Sequence, residues 1–198
     1  MIAAGEAANE HGVPVVVDPV GVGATPTRDR VAERLVTELD TAIINGNYGE
    51  VTALVGADAT VRGVESVGEY ADIATTAVAA AQEFDAVVVA SGETDVVATA
   101  DAAYEVETGD PMMGQVVGTG CMLGATLATM VGALDPERAA LLGAAAFGLA
   151  GEAAADGQFG EFHGPASYQT AFRDAAAGLR EAEVADPADR VERVLSAD

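Results

Sequence analysis

"VPVVVDPVGVGATPTRDRVAERLVTELDTAII" occupies residues 13–44. It opens on a continuous valine run ending at Asp18, the pattern of a strand buried on both faces, as in a parallel sheet. Proline, glycine and threonine mark 19–27 as a loop. Residues 28–40 then place Val31, Leu35 and Leu39 on one face of a helix, and "TAII" (41–44) reads as a second buried strand. Strand, helix, strand is the repeating unit of a doubly wound α/β domain.

The same alternation continues outward. Upstream, "IAAGEAANEHG" (2–12) has helical spacing and stops at His11-Gly12. Downstream, "NYGEVTALVG" (47–56) predicts a short helix. An acidic loop, a helix over 66–82 and a third buried strand, "DAVVVAS" (85–91), follow. "DVVATA" and "AAYEVET" alternate like a hairpin at the edge of the sheet. Beyond Gly118 the pattern predicts helices over 119–132, about 136–155, about 164–180 and about 188–196. No internal repeat, low-complexity tract or linker interrupts 1–198, so the chain reads as one domain or a large part of one. It starts on a helix that leads straight into a central-looking strand, as though preceding elements were absent.

Half of the 198 residues are hydrophobic, only 5% are aromatic and tryptophan is absent. A core of Ala and Val implies close helix–sheet packing rather than a few large anchors. One cysteine permits no intrachain disulfide and no Cys/His zinc framework, which fits a reducing cytoplasm. No basic and apolar leader opens the chain, and the most apolar windows (119–134 and 139–151) are shorter than a membrane span. The net charge of −23, with nine Lys and Arg in all, argues against nucleic-acid binding. The acids are scattered, as on a solvated surface adapted to high salt, where self-repulsion is screened.

In a doubly wound sheet the ligand crevice lies beyond the carboxyl ends of the strands. Asp18, Asn45 with Asn47, and Ser91 with Gly92 fall there. "GTGC" (118–121) turns into an apolar helix. Its glycines and helix start make a cradle for a phosphate or developing anion, and the helix dipole favours the thiolate of Cys121. Cys121 is then either a proton acceptor for an attacking hydroxyl or a small residue packed under the turn. In "NGNYGE", Asn47 and Glu50 have capping-box spacing; Glu50 alternatively faces a hydrated Mg²⁺. Asp18 either caps its loop or faces the same metal. The glycines of "DPVGVGA" form neither a P-loop nor a GxGxxG loop. "ASGETD" is a turn whose Ser91 hydroxyl and Gly92 amide are also placed to touch a nucleotide phosphate. His163, just before a Gly-Pro helix start, reads as structural.

Four stretches, "VPVVVDPVGVGAT", "INGNYGEVTALVG", "VVGTGCMLGATLA" and "GPASYQTAF", resemble hydroxyethylthiazole kinase of the ribokinase-like superfamily in order and spacing, from about residue 2 to about 180. The resemblance implies a ribokinase-like three-layer α/β/α fold with a mostly parallel central sheet, truncated at its N-terminus by roughly a third. It implies ATP- and Mg²⁺-dependent phosphorylation of the hydroxyl of 4-methyl-5-(2-hydroxyethyl)thiazole in thiamine salvage, by a homotrimer with substrate pockets between subunits. By position, Cys121 matches the residue that abstracts or shuttles the hydroxyl proton. The amides of Gly118, Thr119, Gly120 and Cys121 match an anion hole, with Gly118 also on the thiazole alcohol. Asp18 and Glu50 match the acids oriented toward Mg²⁺, and Ser91 a nucleotide-contacting threonine. Asn45 stands where the family usually carries an arginine that contacts ATP, and a neutral amide offers no bidentate guanidinium contact. Two rivals remain: a ribokinase-like kinase for another small alcohol, of hydroxymethylpyrimidine type, and a non-catalytic nucleotide-binding remnant.

Overall fold

A computed structural model describes residues 1–56, 73–178 and 188–196. Helix α1 (Ile2–Glu10) leads into the short strand β1 (Val16–Val17), followed by α2 (Pro26–Glu38), β2 (Ile43–Asn47) and α3 (Tyr48–Val55). Next come α4 (Ile73–Phe84) and three strands, β3 (Val87–Ser91), β4 (Asp95–Ala98) and β5 (Ala102–Val106). Helices α5 (Thr119–Val131), α6 (Pro136–Ala155) and α7 (Pro165–Ala177) follow, and β6 (Val191–Ser196) ends the described chain. Helix starts obey local chemistry. Thr25 and Asp135 accept the amides of Arg28 and Arg138, each followed by proline at the first helical position, where a missing N–H does no harm.

The strands lie in the order β1 to β6. β1, β2 and β3 are parallel, with Val16 opposite Ile43 and Ile43 opposite Val87; β3 through β6 pair antiparallel. Side chains alternate across the sheet. Ile43, Val87, Val89, Val97 and Val106 face α5, α6 and α7, whereas Ile44, Val88, Ala90, Val96 and Ala98 face α2, α3 and α4. Three layers result, and the small side chains along α6 are the means of close approach. The "GPASYQTAF" stretch serves packing: Tyr168 stacks on Phe172, and its buried hydroxyl donates to the Gly151 carbonyl at 2.9 Å.

Several expectations are corrected. The sheet is mixed rather than mostly parallel, because its second half is an antiparallel meander. Residues 191–196 form a strand, not a helix. Val191, Val194 and Leu195 are spaced i, i+3, i+4, which imitates a helical face. The pairing with β5 passes from Leu195 to Arg193, so Val194 is skipped as a bulge, and that extra residue breaks the alternation that would have marked a strand. On α2 Ala32 and Val36 are buried, Leu39 at its C-terminal end is buried as well and Leu35 packs against the same core, while Val31 is exposed; the expected face holds at Leu35 and Leu39 and fails at Val31. β1 lies at an edge of the described sheet rather than at its centre, yet both its faces are covered as expected, Val17 in one core and Val16 packed against the other. The first part of the helix expected over 66–82 lies outside the described residues.

Candidate active site

The parallel strands end together at one edge, where Asn47 sits opposite Ser91. The head of α5 points to the same edge. Gly118 caps α5 in a left-handed conformation (φ +98°), with no side chain capping the helix. An L side chain is strained there. Added carbons at Gly118 and Gly120 would meet nothing within 4 Å, so the space beside this turn is open. The first amides of α5 have no intrahelical acceptors and carry the positive end of the dipole, the composition of an anion site.

On one side of this helix head stand two carboxylates. The exposed Cys121 thiol faces Asp18, and the Asp18 charge first, then burial and the carboxylate's capacity to accept the thiol hydrogen, and last the Glu50 charge raise its pKa. The helix end favours a thiolate, but the two acids outweigh it, and the sulfur is held as a thiol with an acceptor in place. The Asp18 carboxyl is itself pushed up, chiefly by burial, with the Glu50 charge adding to the shift and the Cys121 hydrogen bond opposing it. Glu50 is fixed by the capping box: Oε2 accepts the Asn47 amide at 2.9 Å, and Asn47 Oδ1 accepts the Glu50 amide at 2.9 Å. Its Oε1 accepts the Gly21 amide at 2.7 Å, tying the Asp18 loop to α3. The cap and the acid facing Asp18 are therefore one residue. Among the described residues no group of three or more His, Cys, Asp or Glu is placed to hold a metal. Two neighbouring acids with no cationic partner among the described residues have the chemistry to suit a hard divalent ion that keeps most of its water, as Mg²⁺ does.

On the other side lies a cleft of about 520 Å³. It brings Thr119 and Gly120 of the helix head together with Ser91 and Gly92 of the β3–β4 turn, while Phe147 of α6 forms part of the wall. The Ser91 hydroxyl donates to the Gly46 carbonyl at 3.4 Å. The Gly92 amide is already engaged by Asp95 Oδ1 at 3.1 Å, and the Tyr48 ring fills the place a side chain at 92 would need. Tyr48 in turn donates its hydroxyl to the Thr94 carbonyl. Burial pushes the Asp95 carboxyl up to about 6. Sequence reasoning passed over Asp95, although its place three residues after Gly92 is the signal of a side chain folding back on a turn.

Asn45 is not at the cleft. It is 1% exposed, and its Nδ2 donates to the Gly120 carbonyl at 3.1 Å. His163 is exposed, and its backbone amide donates to the Ser167 hydroxyl at 2.9 Å. No helix among the described residues is long and apolar enough to cross a membrane.

Parallel strands ending beneath a glycine-headed helix, with helices on both faces, define a ribokinase-like α/β kinase fold. The Hydroxyethylthiazole kinase family matches residues 1–182. The hydroxyethylthiazole kinase of Natronomonas pharaonis is 64% identical, over 99% of this chain and 70% of that protein. That of Haloquadratum walsbyi is 62% identical, over 99% and 69%. The solved hydroxyethylthiazole kinase of Pyrococcus horikoshii OT3 superposes with a TM-score of 0.81 at 29% identity, covering 98% of this chain and 70% of that one. Pyridoxal kinase from Staphylococcus aureus, at TM-score 0.53 and 18% identity over 75% of this chain and 55% of that one, shares the fold alone. The chain belongs to the hydroxyethylthiazole kinase family.

Proposed function

We propose that this chain transfers the γ-phosphoryl group of ATP to the hydroxyl of 4-methyl-5-(2-hydroxyethyl)thiazole, in thiamine salvage. The observation that carries the reading is the uncapped, glycine-turned head of α5, with Cys121 facing Asp18 on one flank and the cleft on the other. Phosphoryl transfer needs little beyond alignment and charge stabilisation. The amides of Gly118, Thr119, Gly120 and Cys121 receive the migrating phosphoryl oxygens. The alcohol oxygen forms the new bond to phosphorus as the bond to the β-phosphate oxygen breaks and ADP leaves. Cys121 shuttles the proton: its sulfur takes the hydroxyl hydrogen while passing its own to Asp18, so one proton enters and one leaves. Ser91 flanks the nucleotide side, and Gly118 the alcohol. Asp18 and Glu50 would hold Mg²⁺ through its water shell. There it would supply neutralisation of the negative charge that develops in the transfer.

The rest of the reading concerns setting. A homotrimer completes the thiazole pockets between subunits, and the acidic surface suits a reducing, salt-rich cytoplasm. Melting temperature is then expected to rise between 0.1 M and multimolar KCl, as screening removes self-repulsion. A flat curve would remove the salt reading.

The deciding measurement is coupled ADP release with the thiazole alcohol as acceptor. ADP release that depends on the thiazole is expected. A protein that binds ATP but releases no ADP with the thiazole alcohol is a binding fold, and the proposal fails.

A further inference from the structure

We infer that Asn45 is a positioning residue, one that aims the anion-hole amide of Cys121 from beneath α5 and does not touch the nucleotide. The inference rests on the kinase reading of the same site. Asn45 lies within β2, opposite Val89 of β3, at 1% exposure. Helix α5 is laid directly over it. A side-chain carbon at Gly124 would stand 3.3 Å from Asn45 Nδ2 and 3.6 Å from Asp18 Oδ2. An amide sealed in this way has no line to a phosphate in the cleft.

What it does reach is the Gly120 carbonyl, at 3.1 Å. That carbonyl belongs to the peptide unit whose N–H is the amide of Cys121. The unit is planar and trans, so its C=O and N–H point in opposite directions. Gripping the oxygen from below fixes the direction of the N–H above, and with it the bond from which the Cys121 side chain departs. The amide orientation is set as well, because turning it over would bring Oδ1 against the Gly120 oxygen. The remaining Asn45 Oδ1 is buried without a hydrogen-bond partner among the described residues. A buried acceptor left unpaired lowers stability, and an apolar residue would avoid that loss. An asparagine here is explained by what its donor holds.

The test uses Asn45→Ala and Asn45→Ser, the second as a milder change if the first fails to fold. Two readouts are taken: steady-state kinetics with ATP varied, and the rate at which iodoacetamide alkylates Cys121 at one pH without substrates. A misaimed helix head is expected to lower kcat by about tenfold or more while the KM for ATP stays within about twofold. The alkylation rate is expected to change by about threefold or more as the sulfur leaves its held position. A KM for ATP raised about tenfold with kcat preserved would make Asn45 a nucleotide ligand and overturn the inference. Unchanged kcat and alkylation would overturn it too. If the unaltered protein shows no thiazole-dependent turnover, the kinase reading fails on that result. The alkylation rate then decides for Asn45 alone, and an unaltered rate in the variants refutes the role.

Discussion

The parallel and antiparallel halves of the sheet use similar Val- and Ala-rich strands to different ends. In β1, β2 and β3 every strand runs the same way, so their carboxyl ends gather Asp18, Asn47 and Ser91 at one edge under the head of α5. In β4, β5 and β6 direction reverses at each step. The start of β4, the exit of β5 and the start of β6 lie at that edge, and the first two bring Asp95, Thr108 and Asp110 to the wall of the cleft. Direction separates the half that carries the proposed chemistry from the half that encloses the cleft. Variants in the first half should therefore alter turnover, and variants in the second should alter stability.

The largest effect is expected at Cys121. Replacing it with alanine removes the proposed proton shuttle and is expected to lower kcat by about a hundredfold or more. Because the side chain is exposed, the melting temperature should hold. Full turnover in this variant would take the chemistry away from the parallel half.

Asp95 sharpens the division. Its carboxyl titrates near 6, above the usual carboxylate range, because burial disfavours the charge. A raised acid binds its proton more tightly in the folded state than in the unfolded one. The stability it contributes is thus full below about pH 4 and is lost as pH rises through 6. Asp95→Asn keeps an acceptor for the Gly92 amide and removes the buried charge. It is expected to gain about 2 kcal/mol at pH 8, solvent access through the cleft allowed for, and nothing at pH 4. Denaturant melts at the two pH values measure this; an equal gain at both would show that the charge is not the cause.

Gly118→Ala tests the helix head. No atom blocks the new methyl group, so the change acts through the backbone at φ +98°. A loss of about 1 kcal/mol of stability is expected, with about a tenfold fall in kcat as the amides lose their aim. An unstrained, fully active alanine variant would show that the left-handed turn is not needed.

Much of this site was legible because its parts are local. The Gly118–Cys121 turn, the Asn47–Glu50 cap and the Asp18 loop each lie within a few residues, and short-range chemistry fixes them wherever the chain goes. The contacts that join them are not local. Asn45 meets Gly120 across 75 positions, and nothing near Asn45 announces burial, so an amide at a strand end reads as a ligand. β6 was hidden for a related reason. Its bulge is dictated by the partner β5, and alone its valines and leucine carry a helix's spacing. The cleft-side role of Asp95 depends on Tyr48 closing over Gly92, a packing event that propensity does not encode.

Arg190 provides the smallest effect and the cleanest control. It sits just before β6, where its Nε donates to the Glu107 carbonyl at 2.6 Å and its guanidinium pairs with Glu152. Glu152 also accepts the Gly109 amide at 3.0 Å, so this one pair fastens the exit of β5 to α6 behind the cleft wall. Both side chains are partly exposed, at 40% and 29%, and water screens much of their attraction. Arg190→Ala is expected to remove about 1 kcal/mol or less, a fall of about 2–4 °C in melting temperature for a chain of this size. Turnover per folded molecule should stay as it was, since the residue reaches neither the helix head nor the carboxylates. If kcat falls with Arg190 as far as it does with Cys121, the antiparallel half shares in the chemistry, and strand direction no longer divides the molecule.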